Sequence, residues 1–176
     1  MQVRAMMLEM TENPVHFGTD GWRAIIGETF TFDNVRACAQ AAAGHFADTY
    51  GREKPLIVGY DTRFLSDEFA MAVARVLAGN GFAGQLATRP APTPAISFRI
   101  IEIAASGGVV VTSSHNPFRW TGIKIKTHYG GSASPEIVED IERRVPAILA
   151  DPASIVMAPA DDPLISRFDP VSSEEH

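Results

Sequence analysis

Cysteine is almost missing: Cys38 stands alone in 176 residues, which excludes an internal disulfide framework. It lies in the alanine-rich stretch VRACAQAAAGHF, where a small buried side chain is wanted, so a structural thiol is expected over a reactive one. Long apolar runs are missing as well. None approaches the roughly 18 to 20 residues that span a bilayer, and the start, MQVRAMMLEMTENP, lacks the continuous apolar segment of a signal peptide; a cytoplasmic location is the expectation. Basic residues are outnumbered, with 15 Lys and Arg against 21 Asp and Glu and a formal charge of −6. Much of the acidic excess falls in residues 151–176, where Asp151, Asp161, Asp162, Asp169, Glu174 and Glu175 meet only Arg167. A near-neutral body without clustered Lys and Arg excludes the counterion-displacing surface of a nucleic-acid binder. Any anion site must therefore be local.

What is present is apolar material for one core, 45% of the residues, and short β-branched runs alternating with helical patterns. Residues 15–26 read as a strand, a tight Gly18 to Gly21 turn and a second extended stretch. Thr31 caps a helix whose Val35, Cys38, Ala39, Ala42 and Phe46 recur at helical spacing, with Gly51 ending it. LIVGY at 56–60 has the unbroken apolar character of a strand covered on both faces. Ser66 with Asp67 and Glu68 opens a second helix, Thr93-Pro94 a third running to about Ala105, and Ser134-Pro135-Glu136 a fourth that Pro146 should kink or interrupt near Glu142. GQLATR at 84–89 and GGVVVT at 107–112 are strands, and GIKIKTHY at 122–129 alternates like a strand with one solvated face at an antiparallel edge. The fold class is α/β: a three-layer αβα domain over 15–150 with a mixed, mostly parallel sheet. Residues 1–14 read as a loose extension and 151–176, with four prolines among acids, as a linker or truncated tail that is not a packed element.

Reactive groups of open α/β sheets collect beyond the carboxyl ends of strands, where TSSHNP at 112–117 falls. It offers two adjacent serines, an imidazole and an amide, with Lys124 on the returning strand. A serine hydroxyl needs a base or cation beside it to act as a nucleophile, and a phosphoryl group on it needs donors and positive charge; His115 and Lys124 supply both. Residue types alone favour an ordinary capping loop with a solvated lysine. Asp61 and Arg63, beyond LIVGY, read more readily as an ion pair fixing a loop than as reactive groups. His16, His45 and His128 lack metal-ligand spacing with each other or with Cys38.

T-x-S-H-N-P followed by G-I-K resembles the active-site signature of the phosphohexomutase superfamily, which includes phosphoglucomutases and phosphomannomutases. HFGTDGWRAIIGETFTFDNV at 16–35, VGYDTRFLS at 58–66 and PTPA at 92–95 resemble further segments in the family's order, and YGGSASPE at 129–136 resembles a bacterial-type branch. The resemblance implies the first of the family's four domains. It implies that Ser114 carries a phosphoryl group, that Lys124 is a general base or acid toward the sugar hydroxyl, and that His115 is a second such candidate or a phosphate contact. Arg23 would hold phosphate oxygens near the phosphoserine, with Thr19, Asp20, Gly21 and Asn116 as substrate or phosphate contacts. It further implies transfer between C1 and C6 of a hexose phosphate through a bisphosphate, with glucose bisphosphate as activator and Mg²⁺ bound partly by a Ser114 phosphoryl oxygen. Ser113 and Thr121 depart from the usual small residue and asparagine at their positions.

The family's D-x-D-x-D-R metal loop is absent from the sequence, as are the later sugar- and phosphate-recognition loops, while ISRFDP at 165–170 resembles the link into the second domain. The expectation is a first domain inactive by itself, with the remaining mutase domains as partners and self-association through an exposed inter-domain face. Two alternatives stand beside it: a non-catalytic sugar-phosphate or protein-binding module, and part of a glucosamine or N-acetylglucosamine phosphate mutase.

Overall fold

The computed structural model describes residues 13–170; the extension expected at the amino terminus lies outside the described residues as far as Glu12, as do residues 171–176. In chain order the elements are β1 (Phe17–Gly18), β2 (Gly21–Ile25), α1 (Phe32–Tyr50), β3 (Leu56–Tyr60), α2 (Ser66–Gly79), β4 (Gly84–Ala87), α3 (Thr93–Glu102), β5 (Gly107–Val111), β6 (Trp120–Thr127), α4 (Pro135–Ala150) and β7 (Ile165–Phe168). One seven-stranded sheet runs β1-β2-β6-β5-β3-β4-β7. Strands β5, β3, β4 and β7 pair in parallel, whereas β1, β2 and β6 join by antiparallel pairings. The sheet is mixed, as expected, and helices flank it. Ile96 and Ile100 of α3 lie against Gly59 and Gly108 on one face, and Phe46 of α1 lies against Gly107 on the other. Trp22 stacks on Phe30 at 4.7 Å, and Phe30 meets Phe69 edge-on at 4.8 Å. Such aromatic pairs add roughly 0.5–1.5 kcal/mol beyond the area they bury.

Local chemistry explains the helix ends. Thr31 accepts from the Asn34 N–H, and the Gly51 N–H closes the last turn of α1 on the Ala47 carbonyl. Cys38 is fully buried in α1, and burial pushes its thiol pKa far up, which suits a structural role.

Four expectations need correction. First, β6 is not an edge strand, because β2 pairs along Trp120–Ile123 and the segment after Tyr129 folds back along the rest, where the Ala133 N–H bonds the Ile125 carbonyl, and neither face is solvated, since Thr121–Thr127 are all buried. Second, the region after 150 is partly packed. A 3₁₀ turn at Pro152–Ser154 leads on to β7, which pairs with β4 from Gly84↔Ile165 to Ala87↔Phe168. Third, Pro146 does not interrupt α4; the Glu142 carbonyl deprived of its helical donor accepts from the Asn13 side-chain amide at 3.1 Å. Fourth, α3 stops at Glu102.

Candidate functional site around Ser114 and Lys124

The loop after β5 is gripped from a distance. Asp61 and Arg63 leave the carboxyl end of β3, and the Arg63 Nε donates to Asp61 Oδ2 at 3.1 Å. Its two terminal nitrogens then donate to four carbonyls: Nη2 to Ser114 at 2.7 Å and Asn116 at 2.9 Å, and Nη1 to Pro117 and Trp120 at 3.0 Å each. A planar guanidinium with five donors is suited to this, and lysine has no equivalent fork. Asp61 is fixed in turn by Ser66, whose hydroxyl donates to Oδ1 at 3.0 Å. Ser66 is therefore not the cap of α2. That place falls to Leu65, in a left-handed conformation without a side-chain bond. The ion-pair reading of Asp61 and Arg63 holds, and the carbonyl grip is what sequence reasoning missed.

Ser114 sits at φ 59°, in the left-handed region that a non-glycine residue enters only when its surroundings fix it. Its N–H donates to the buried Thr112 hydroxyl at 3.0 Å, and Asn116 N–H closes a turn on the Ser113 carbonyl. Ser114 and His115 are exposed, and Ser114 Oγ lies 3.4 Å from His115 Nδ1. Ser113 is wholly buried, with its hydroxyl donating to the Trp120 carbonyl, so of the two adjacent serines Ser114 is the one that faces solvent.

Arg23 reaches the same loop from β2. Its Nη1 donates to Asn116 Oδ1 at 3.4 Å, while its Nε is buried with no partner. A guanidinium so lightly engaged retains donors for an anion. Gly122, opposite Arg23 in the sheet, makes this possible: a Cβ there would stand 2.3 Å from the Trp22 carbonyl oxygen and 3.2 Å from Arg23 Cγ.

Lys124 belongs to a neighbouring group. Register with β5 and β2 puts Arg23, Lys124 and Lys126 on the sheet face that carries α3. Lys124 Nζ donates to Asp20 Oδ2 at 2.5 Å, Ser132 Oγ donates to Asp20 Oδ1 at 3.0 Å, and Lys126 Nζ donates to Ser132 Oγ at 3.2 Å. Thr19, Asp20, Gly21, Lys124 and Ser132 line a cleft of about 400 Å³ closed on its far side by α4. Among the described residues no hydrogen bond joins Lys124 to Ser114. The structure thus gathers Ser114, His115, Asn116 and Arg23 in one group and Asp20, Gly21 and Lys124 in another, with Thr19 on the rim. Lys126 and Ser132 escaped sequence reasoning, although Lys126 stands two residues after Lys124 and so had to share its face.

Asp20 and Gly21 are both engaged with the Lys124 side chain. Partial burial works to raise the Asp20 carboxyl, but hydrogen bonds from Lys124 and Ser132 and the nearby ammonium charges outweigh it and hold it below the ordinary carboxylate range. An ionised carboxylate repels a phosphate oxygen. Gly21, at φ 107°, leaves room for the Lys124 stem, since a Cβ would meet Lys124 Cγ at 3.0 Å and the Ile123 carbonyl oxygen at 2.6 Å. The remaining histidines are packed or paired: His16 with Glu142, His45 with Asp140, and His128 between Tyr50 and Tyr129.

Comparison with known proteins identifies the family. Residues 14–151 fit the family described as phosphoglucomutase/phosphomannomutase, alpha/beta/alpha domain I. A phosphoglucomutase of Staphylococcus saprophyticus is 32% identical over 143 residues, covering 78% of this chain and 25% of the relative. A phosphoglucosamine mutase of Clavibacter sepedonicus is 36% identical over 163 residues, covering 88% of this chain and 34% of the relative. A solved structure from Thermus thermophilus, assigned as a phosphomannomutase, superposes with a TM-score of 0.76 at 36% identity, covering 89% of this chain and 33% of that one. The chain spans a quarter to a third of the length of these relatives. With the family matched across most of its length, the chain belongs to the phosphoglucomutase/phosphomannomutase family, in which it corresponds to the α/β/α domain I.

Proposed function

We propose that this chain provides the phosphoryl-carrying part of a phosphohexomutase, with Ser114 as carrier. The observation that supports this best is an exposed Ser114 hydroxyl on a loop whose main chain is immobilised by Arg63. Phosphoryl transfer depends mainly on alignment and charge neutralisation, so a fixed carrier oxygen is the part a scaffold must supply. In the first half-reaction the bond from phosphorus to Ser114 Oγ breaks as a sugar hydroxyl oxygen bonds to phosphorus, and the hydroxyl proton passes to a base. In the second, the sugar's other phosphoryl group moves to Ser114 Oγ and that sugar oxygen regains a proton. The net change exchanges phosphate between C1 and C6. Lys124, with His115 second, handles the proton, and Arg23 and Asn116 hold phosphate oxygens.

Mg²⁺ is the ion implied by the family resemblance, but the described residues do not fit it: no group of three or more His, Cys, Asp or Glu is placed to hold a metal. A Ser114 phosphoryl oxygen alone does not complete the octahedral oxygen shell Mg²⁺ prefers. The names of the relatives support glucose, mannose and glucosamine phosphates as substrates.

The test is incubation of the chain with glucose 1,6-bisphosphate and Mg²⁺, followed by intact mass and peptide mapping. One phosphoryl group on Ser114, absent from Ser114→Ala, is expected. A second arm supplies the remaining domains of a relative and couples glucose 1-phosphate turnover to a dehydrogenase, with glucosamine 1-phosphate in parallel. Sugar-phosphate binding with no phosphoserine and no turnover in either arm would support a non-catalytic module and sink the carrier reading.

A further inference from the structure

The structure assigns Asp20, backed by Ser132 and Lys126, as the positioning residue for Lys124, an inference that rests on the reading of Lys124 as the proton-handling group. The sequence contains three lysines. Lys54 is exposed, whereas Lys124 and Lys126 are each only 7% exposed and leave the same face of β6. Two buried ammonium groups side by side repel, and burial has already lowered the Lys126 pKa. Their common answer is one carboxylate. Lys124 reaches Asp20 directly and Lys126 reaches it through the Ser132 hydroxyl, so every donor in the four-residue chain points toward Asp20.

The backbone is arranged for this contact. Asp20 stands in the β1–β2 turn, and Gly21 leaves a gap across which the Lys124 stem lies. Ser132 is brought in by the bridge that pairs it with Lys126. Glu139 and Glu142 line the same cleft from α4, but Glu142 is taken by His16 at 2.9 Å, and neither bonds to the chain of four.

The chemistry needs such a contact. Between the half-reactions a bisphosphate must turn over, and during that interval no sugar oxygen is held against Lys124. A free lysine stem explores many rotamers. Asp20 keeps Nζ in one direction throughout, both as the amine that takes the proton of one sugar hydroxyl and as the ammonium that returns a proton to the other sugar oxygen. Its role is to aim the lysine.

The test records lysine side-chain ammonium signals of the ¹⁵N-labelled chain by NMR, assigned with Lys54→Arg and Lys126→Arg. A slowly exchanging Lys124 signal is expected, lost in Asp20→Asn, partly restored in Asp20→Glu and weakened in Ser132→Ala, with Lys54 unchanged. Backbone spectra report whether each variant folds. Supplied with the remaining domains of a relative, Asp20→Asn should lower kcat roughly tenfold or more at unchanged KM, and Asp20→Glu should recover part. A Lys124 signal undiminished in folded Asp20→Asn, or an unchanged kcat, overturns the inference. The ammonium signal needs no turnover, so its outcome is separate from that of phosphoryl uptake at Ser114.

Discussion

The two halves of the site are held by different kinds of bond. Around Ser114 a single guanidinium grips main-chain oxygens and is backed by a carboxylate whose side chain is 23% exposed. Around Lys124 a carboxylate that is 39% exposed gathers side-chain donors. The first arrangement fixes a backbone; the second fixes only the ends of flexible side chains. On the proposed function, a carrier oxygen that must meet phosphorus in line benefits from the first, and a proton-handling amine that must serve two sugar oxygens in turn benefits from the second, because its partner can be exchanged without rebuilding a loop.

If this contrast is right, Arg63→Met has the largest effect. It leaves Asp61 without its charged partner and strips four carbonyls, and breaking such a pair costs about 3–5 kcal/mol, read as a drop in denaturant midpoint. Asp20→Asn should cost less, because that carboxylate is 39% exposed and its ion pair is partly solvent-screened. Equal losses would break the comparison. Next comes Gly122→Ala, which drives a methyl group into the Trp22 and Thr112 carbonyl oxygens and against Arg23; overpacking of this kind costs about 1–3 kcal/mol. It should also weaken phosphate binding in a direct titration.

Smaller effects follow from pH. Asp20 is held below its unfolded value, so its contribution is present above the ordinary carboxylate range and is lost as pH falls through the lowered value. The stability gap between the parent chain and Asp20→Asn should therefore close below about pH 4, as urea midpoints at pH 6 and pH 3 would show. The smallest expected change concerns Lys126. Burial depresses it while the Asp20 charge props it up, so removing that charge in Asp20→Asn should move its titration to still lower pH. NMR of its ε-methylene carbon reads this directly, and an upward move would mean that Asp20 does not act on Lys126 through its charge.

Much of this was legible in the sequence, for identifiable reasons. Helix faces follow a period of 3.6, and Thr31, Gly51, Phe69 and Val73 behave as that period and simple capping require. Ser114, His115 and Asn116 were visible because their chemistry is in their side chains. The grip of Arg63 was not, since carbonyls at 114, 116, 117 and 120 leave no mark on residue type. Alternation in β6 shows that Lys124 and Lys126 share a face but not what covers that face, which is a property of residues 131–133 and the β1–β2 turn. The strand at 165–168 was lost among prolines and acids because what defines it is its partner, β4, eighty-one residues earlier at the Gly84↔Ile165 pair.

The Arg63 clamp also bears on how such a site changes over evolutionary time. Every amino acid has a carbonyl, so the clamp does not inspect the side chains it secures; scaffold and reagent are carried by different atoms of the same residues. Selection is thereby free to exchange the group displayed at 114 without redesigning the loop. The left-handed backbone sets the boundary of that freedom, since it accepts glycine and short polar residues and resists β-branched ones. On the proposed reading, a lineage could retire the carrier or replace it with a permanent carboxylate in one substitution, and the loop's shape would survive the change.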